Sequence, residues 1–164
     1  MRIGFTLLEV LICTLIIGII SLLAVPNILS QIKEFELEQD VSTVKQLIKE
    51  SRSIAITRSR TIYIDFSQAN INHSENGGLI QIKQNDGTVI SQSYLSYNIL
   101  YNTSTSTIQN QKIIFNFQGQ PVDSTGSISG FTTSNNKITI GAYKNNNLVS
   151  SRSMSVTKIG ETID

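Results

Sequence analysis

Charge of one sign is the first thing this chain lacks. Its 13 Lys and Arg stand against 12 Asp and Glu, a formal net charge of +1 over 164 residues. No overall field draws in a polyanion, so composition argues against a general binder of nucleic acid or anionic surfaces. Cysteine is almost absent. The one thiol, Cys13, lies in an apolar run, which leaves the rest of the chain without a disulfide or a thiolate metal site. It reads as a small packing residue. Histidine also occurs once, His73, in a polar loop between Asn72 and Ser74, where a surface side chain is the plainer reading than a catalytic base. No carboxylates pair or cluster at metal-binding spacing, so Asp65, Glu75, Asp86 and Asp123 read as isolated surface or turn residues. Gly126-Ser-Ile-Ser-Gly130 has the glycines of a nucleophile elbow, but Ile128 stands where the serine must be, and the segment reads as a turn and strand. These absences leave no catalytic residue, no metal ligand set and no cofactor site, and the chain is read as a non-enzyme.

What is present begins at the N-terminus. Phe5 to Val25 is an apolar run of 21 residues, which as a helix at 1.5 Å per residue would measure about 31 Å, close to a bilayer core of about 30 Å. A single membrane span is the expectation. Glu9 interrupts the run about one turn in, where an unpaired charge costs about 2.5 to 3.5 kcal/mol on insertion scales. Cutting the peptide bond after Gly4 would supply a partner, because the new α-amine of Phe5 lies one helical turn from Glu9, in the same chain or a stacked neighbour. An ordinary signal-anchor needs only the apolar run and makes no demand for Gly4, Phe5 and Glu9 together. A conventional secretory signal fits worse, because the leader is too short and no small-residue cleavage site follows the apolar core.

Gly4-Phe5-Thr6-Leu7-Leu8-Glu9-Val10-Leu11-Ile12 resembles the class III signal of type IV pilins and type II secretion pseudopilins, and Pro26 sits where that family has its helix-kinking proline. The resemblance implies that a prepilin peptidase cuts between Gly4 and Phe5 and methylates the new N-terminus at Phe5. It also implies that Glu9 sets the register on joining a filament of other pilins or pseudopilins.

The remainder suffices for one small domain. Arg2 before the span, and Lys33 answered by Glu34, Glu36 and Glu38 after it, favour the N-terminus inside and the large domain outside. Pro26 removes a backbone donor and is expected to kink the helix without ending it. Beyond it, Ile32, Phe35, Val41, Val44, Ile48 and Ala55, widened by Leu47 and Ile54, recur at helical spacing, while Glu38, Asp40, Lys45, Lys49, Glu50, Arg52 and Arg58 occupy the other faces. Strands follow at Thr61–Phe66, Leu79–Lys83, Val89–Tyr94, Lys112–Phe117, Lys137–Tyr143 and Leu148–Lys158, with turns at Asp86-Gly87, Gly119-Gln-Pro121 and Asn145-Asn-Asn147. Ser67–Gly78 and Asn102–Gln111 read as polar loops with no apolar face to bury. The expected fold is α+β: a leader over 1–4, a transmembrane and assembly helix over 5–26, an amphipathic stem over 27–60, and an antiparallel β-sheet head over 61–164 on which the stem packs.

The helix-to-strand segment from Val44 to Phe66 and the pattern Ile113-Ile-Phe-Asn-Phe-Gln-Gly-Gln-Pro121 followed by Gly126-Ser-Ile128 are similar to the GspH/FimT group of minor pilins and pseudopilins. That resemblance implies a minor structural subunit of a type II secretion pseudopilus or type IV pilus, single-pass in a bacterial inner membrane with its head outside the cytoplasm, taking part in filament initiation and protein secretion. It also opens a second function, since some FimT-like relatives capture DNA in natural transformation through basic residues near the C-terminus. Here the bases to consider are Arg52, Arg58 and Arg60, with Arg152 and Lys158. The C-terminal Lys158-Ile-Gly-Glu-Thr-Ile-Asp164 carries one base and two acids, without paired arginines around its glycine, and arginines beside a helix end favour its dipole. Nucleic acid is therefore the less expected partner.

Overall fold

In the computed structural model, residues 6–128, 136–157 and 159–163 are described, with the side chains of 22–27, 29 and 30 outside that set. The chain divides into two compact units, Met1–Phe35 and Glu36–Asp164. Helix α1, Leu7–Arg58, runs through both and continues past Pro26.

In the first unit the described part of α1 makes its hydrogen bonds within itself. Thr14 Oγ1 donates to Leu11 O at 3.0 Å and Ser21 Oγ to Ile17 O at 2.8 Å. Even the hydroxyls of this segment are thus satisfied by its own backbone.

In the second unit α1 ends by a physical stop. Ser59 takes a left-handed φ of 49°, Ser59 N–H donates to Ile56 O at 3.2 Å and Arg60 N–H to Ala55 O at 3.1 Å. That paired closure satisfies two terminal carbonyls and turns the chain into the first strand. Among the described residues, nine strands, β1 Ile62–Gln68, β2 Leu79–Gln84, β3 Val89–Tyr94, β4 Ile99–Tyr101, β5 Lys112–Phe115, β6 Pro121–Val122, β7 Lys137–Lys144, β8 Asn147–Val156 and β9 Thr162–Ile163, form two antiparallel sheets, ordered β3-β2-β1-β5-β6 and β4-β7-β8-β9. The sequence pattern anticipates a single sheet. The chain instead leaves the first sheet for β4, returns for β5 and β6, and completes the second afterwards.

One apolar core joins the helix to both sheets. Val44, Leu47, Ile48 and Ala55 of α1 meet Ile62, Ile64 and Phe66 of β1, Ile113 and Phe115 of β5, and Ile138, Ile140, Met154 and Val156 of the second sheet. Burying each larger side chain contributes about 1.5 to 3 kcal/mol. The stripe on α1 differs from the expected one at its start: Leu37 is fully buried, whereas Ile32 and Phe35 are 45% and 71% exposed. Asp40, expected among the outward charges, is buried in register with that stripe, and its Oδ2 accepts the Ser96 N–H at 2.7 Å. The two segments read as polar loops also bury apolar side chains, Ala69 and Ile108.

Candidate functional site

Thr6 precedes the first turn of α1, and its Oγ1 accepts the N–H of Glu9 at 3.3 Å while its carbonyl accepts from Glu9 and Val10. Thr6 is therefore the helix N-cap, three residues before Glu9, and Thr6-Leu7-Leu8-Glu9 has the spacing of a capping box. The threonine-to-glutamate interval was visible in the sequence, but the leader resemblance alone does not point to it. A carboxylate in the first turn also faces the positive end of the helix dipole.

Around Glu9 the helix surface is apolar on every side. Leu7, Leu8, Val10, Leu11, Ile12, Leu15, Ile16, Ile17, Ile19 and Ile20 are all exposed, and at 100° per residue these positions wrap the full circumference. Between Thr6 and Ser21 Glu9 is the one charged residue, and it too is exposed. Among the described residues no helix is long and apolar enough to cross a membrane. The span expected over 5–26 is therefore unsupported, and its run includes Phe5 and residues 22–25, whose side chains lie outside the described set. Gly4 and Phe5, expected at the cleavage and methylation site, also lie outside it, as does the side chain of Pro26.

The basic residues considered for DNA are not brought together. Arg52 is half-buried against two turns: a methyl group built on Gly160 would fall 3.1 Å from Arg52 Cδ, and one on Gly119 3.2 Å from Arg52 Cγ. Its Nε is the one buried side-chain nitrogen or oxygen without a hydrogen-bond partner among the described residues. Arg58 and Arg60 are exposed at the end of α1. Arg152, on β8, lies 3.7 Å from Glu38 Oε1. Glu38 is 20 residues before Arg58 on the same helix, an axial distance of about 30 Å. Arg152 thus sits near the opposite end of the stem's packed part from Arg58. Lys158 is outside the described residues.

The carboxylates have local structural roles, one of them contrary to expectation. Asp65, read as a surface residue, is buried on β1, where Lys83 Nζ donates to its Oδ2 at 2.8 Å and the Ser67 N–H to its Oδ1 at 3.0 Å. Burial alone would push this carboxyl up, but hydrogen bonds from Lys83 and Ser67 and the Lys83 charge together hold it below the ordinary value. On the same face Lys112 Nζ lies 4.7 Å from the centre of the Tyr63 ring. Asp86 and Asp123 are turn residues, as expected: Asp86 Oδ1 accepts Thr88 N–H at 2.9 Å beside Gly87 at φ 88°, and Asp123 Oδ1 accepts Thr125 N–H at 2.9 Å and Ser127 N–H at 2.8 Å. The half-buried His73 ties its loop together, with Nε2 3.0 Å from Gln68 O and its ring edge-on to Tyr94. No group of three or more His, Cys, Asp or Glu suited to a metal ion occurs among the described residues.

No protein-family model matches the chain, and no curated protein matches it. Among solved structures it is similar to the type IV minor pilin FimU of Pseudomonas aeruginosa strain PAO1, in two crystal forms. One matches at 14% identity and a TM-score of 0.49 over 79% of this chain and 88% of FimU. The other matches at 14% identity and a TM-score of 0.48 over 77% and 90%. Likeness of that extent assigns neither family nor role, and the functional reading rests on this chain's own residues.

Proposed function

We propose that this chain is a minor structural subunit of a pilin-type filament, a type IV pilus or a type II secretion pseudopilus, and that α1 is its assembly element. The observation that carries this reading is Glu9, a single carboxylate on a helical surface that is apolar on every side. Water is a poor solvent for such a surface, which needs lipid or other helices around it. In this reading residues 5–26 span the bacterial inner membrane before assembly, with Pro26 bending the helix and the β-rich head outside the cytoplasm. A prepilin peptidase removes residues 1–4, Phe5 becomes the methylated N-terminus, and its ammonium pairs with Glu9 in the same chain or the next. Other pilins then cover the apolar surface, and the Glu9 pairing fixes their axial register.

Intact-mass measurement of the protein from its native membrane tests the processing. Loss of Met1 to Gly4 with one added methyl group is expected, and an intact N-terminus would overturn it. Glu9→Ala tests the assembly role. The variant should still enter the membrane, since it removes a charge that costs about 2.5 to 3.5 kcal/mol there, while its crosslinking to partner pilins falls. Undiminished crosslinking would reduce Glu9 to a capping residue that completes the Thr6 motif.

A further inference from the structure

On the head, outside α1, an open depression of about 270 Å³ is lined by Asn70, Asn72, Asn98, Asn102 and Asn146, with Leu100, Tyr101, Tyr143 and the Thr103-Ser104 turn completing it. Its lining holds no Asp, Glu, Lys, Arg or His. Three segments build it: the loop after β1, strand β4 with its exit, and the β7–β8 hairpin. Hydrogen bonds lock them to one another. Asn72 Nδ2 donates to Asn98 Oδ1 at 2.9 Å while the Asn98 N–H donates to Asn72 Oδ1 at 3.1 Å, so the two asparagines clasp each other reciprocally. Tyr143 N–H donates to Asn98 O at 2.8 Å, and Tyr101 N–H to Ala69 O at 2.7 Å. Asn102 Oδ1 caps the turn that follows it, accepting from Ser104 N–H at 3.0 Å and Thr105 N–H at 3.3 Å. The amides of Asn70 and Asn146 and the hydroxyl of Tyr143 have no hydrogen-bond partner among the described residues.

We propose that this asparagine-lined depression binds a neutral saccharide. A primary amide offers two donors and a carbonyl acceptor in one plane, which suits neighbouring hydroxyls that each donate and accept. Without a charged side chain, the site has no counter-ion for an anionic or cationic ligand, whose desolvation would go uncompensated. Tyr143, half-buried at the rim, offers an apolar ring with a polar tip, the amphipathic surface against which a sugar's C–H face packs. The volume lies just under the roughly 300 Å³ at which pockets for drug-sized ligands begin, and so fits a sugar ring or two. A peptide strand is the poorer occupant, because strand addition needs free backbone at an edge. At β4 that backbone is already engaged: Gly78 N–H donates to Ile99 O at 3.1 Å, Tyr101 N–H to Ala69 O, and the other edge pairs with β7. The proposal stands apart from the assembly reading, because the site uses no residue of α1.

Saturation-transfer NMR on the full chain, held in a lipid nanodisc or a detergent without a sugar headgroup, tests it with glucose, galactose, mannose and N-acetylglucosamine as probes. At least one should receive saturation at about millimolar concentration, equivalent to roughly −4 kcal/mol of affinity. In the Asn70→Ala/Asn146→Gly double variant that signal should fall at least several-fold with the unfolding temperature unchanged, since both side chains are exposed and make no bond that holds the fold, and glycine accepts the left-handed φ of 64° at position 146. Tyr143→Phe provides a second variant, which keeps the ring and removes one hydroxyl, and should weaken the signal less. No transfer to any neutral sugar would overturn the proposal. So would undiminished transfer in the double variant, or equal transfer to a neutral Gly-Ser peptide or to a sialic acid, which would show that the depression does not select a neutral saccharide.

Discussion

The carboxylate of Asp40, in the middle of the helical stem, accepts the backbone N–H of Ser96 across 56 residues of sequence at 2.7 Å. It occupies a place in the apolar stripe between Leu37 and Val44. A charged group there is tolerated because the amide it accepts from belongs to the bend between β3 and β4, which has no strand partner at that point. Asp40→Ala leaves that half-buried donor without the carboxylate, and should lower stability by about 1 kcal/mol. Chemical denaturation of the head would show the loss. Stability equal to the parent would mean that water replaces the carboxylate.

Asp65 and the half-buried Lys83 form an ion pair on the first sheet. Because the folded carboxyl lies below its ordinary value near 3.8, its contribution is present above that pH and is lost as pH falls through the lower folded value. The acid limb of the unfolding temperature should therefore steepen below about pH 4, and Asp65→Asn should flatten it while lowering stability at neutral pH. Asp86 and Asp123, also held below the ordinary value by turn hydrogen bonds, will leave a residual slope. A variant whose acid limb matched the parent would remove Asp65 from this account.

Gly78 sits where two strands and a loop meet, its carbonyl accepting Leu95 N–H and its N–H donating to Ile99 O. A Cβ there would fall 2.1 Å from the backbone oxygen of Ala69, and backbone cannot swing aside as a side chain can. Gly78→Ala should cost about 3 kcal/mol, the upper part of the overpacking range. Gly87→Asn is the control: it keeps a left-handed turn with open space around it and should cost about 1 kcal/mol or less. Equal unfolding curves for the two variants would contradict the steric argument.

The separation of the candidate bases leads to a negative expectation for DNA. From Gln31 onward 12 basic residues face 11 acidic ones, since of the 13 and 12 in the chain only Arg2 and Glu9 precede it. Each phosphate contact adds about 0.9 to the slope of log affinity against log salt, and Arg152, beside Glu38, lies about 30 Å along the stem from Arg58, too far to share a few phosphates with it. A fragment from Gln31 should give no gel shift at micromolar protein and near-physiological salt. A salt-sensitive shift lost on replacing Arg52, Arg58 and Arg60, or Arg152 and Lys158, would establish a nucleic-acid surface instead.

The sequence by itself determined most of the local structure. Alternating Ile62-Tyr-Ile-Asp-Phe66, Leu79-Ile-Gln-Ile-Lys83 and Lys137-Ile-Thr-Ile140 became strands because a period of two fits one buried face and no helix. Val44, Leu47, Ile48 and Ala55 entered the core because their spacing puts them on one side of a helix. The Glu9 anomaly, too, was visible in the chain alone. Only the tertiary structure decided which part of the stem is covered. Periodicity names a face, but where the head begins along that face depends on contacts made later in the chain, so Leu37 is buried and Phe35 is not. It also divided the strands between two sheets, because strand order is fixed by non-local pairing, as when β5 returns to lie beside β1. Asp40 and Asp65 were unreadable for the same reason. A carboxylate can be buried only where a donor awaits it, and their donors, Ser96 and Lys83, stand 56 and 18 residues away, at distances no local pattern records.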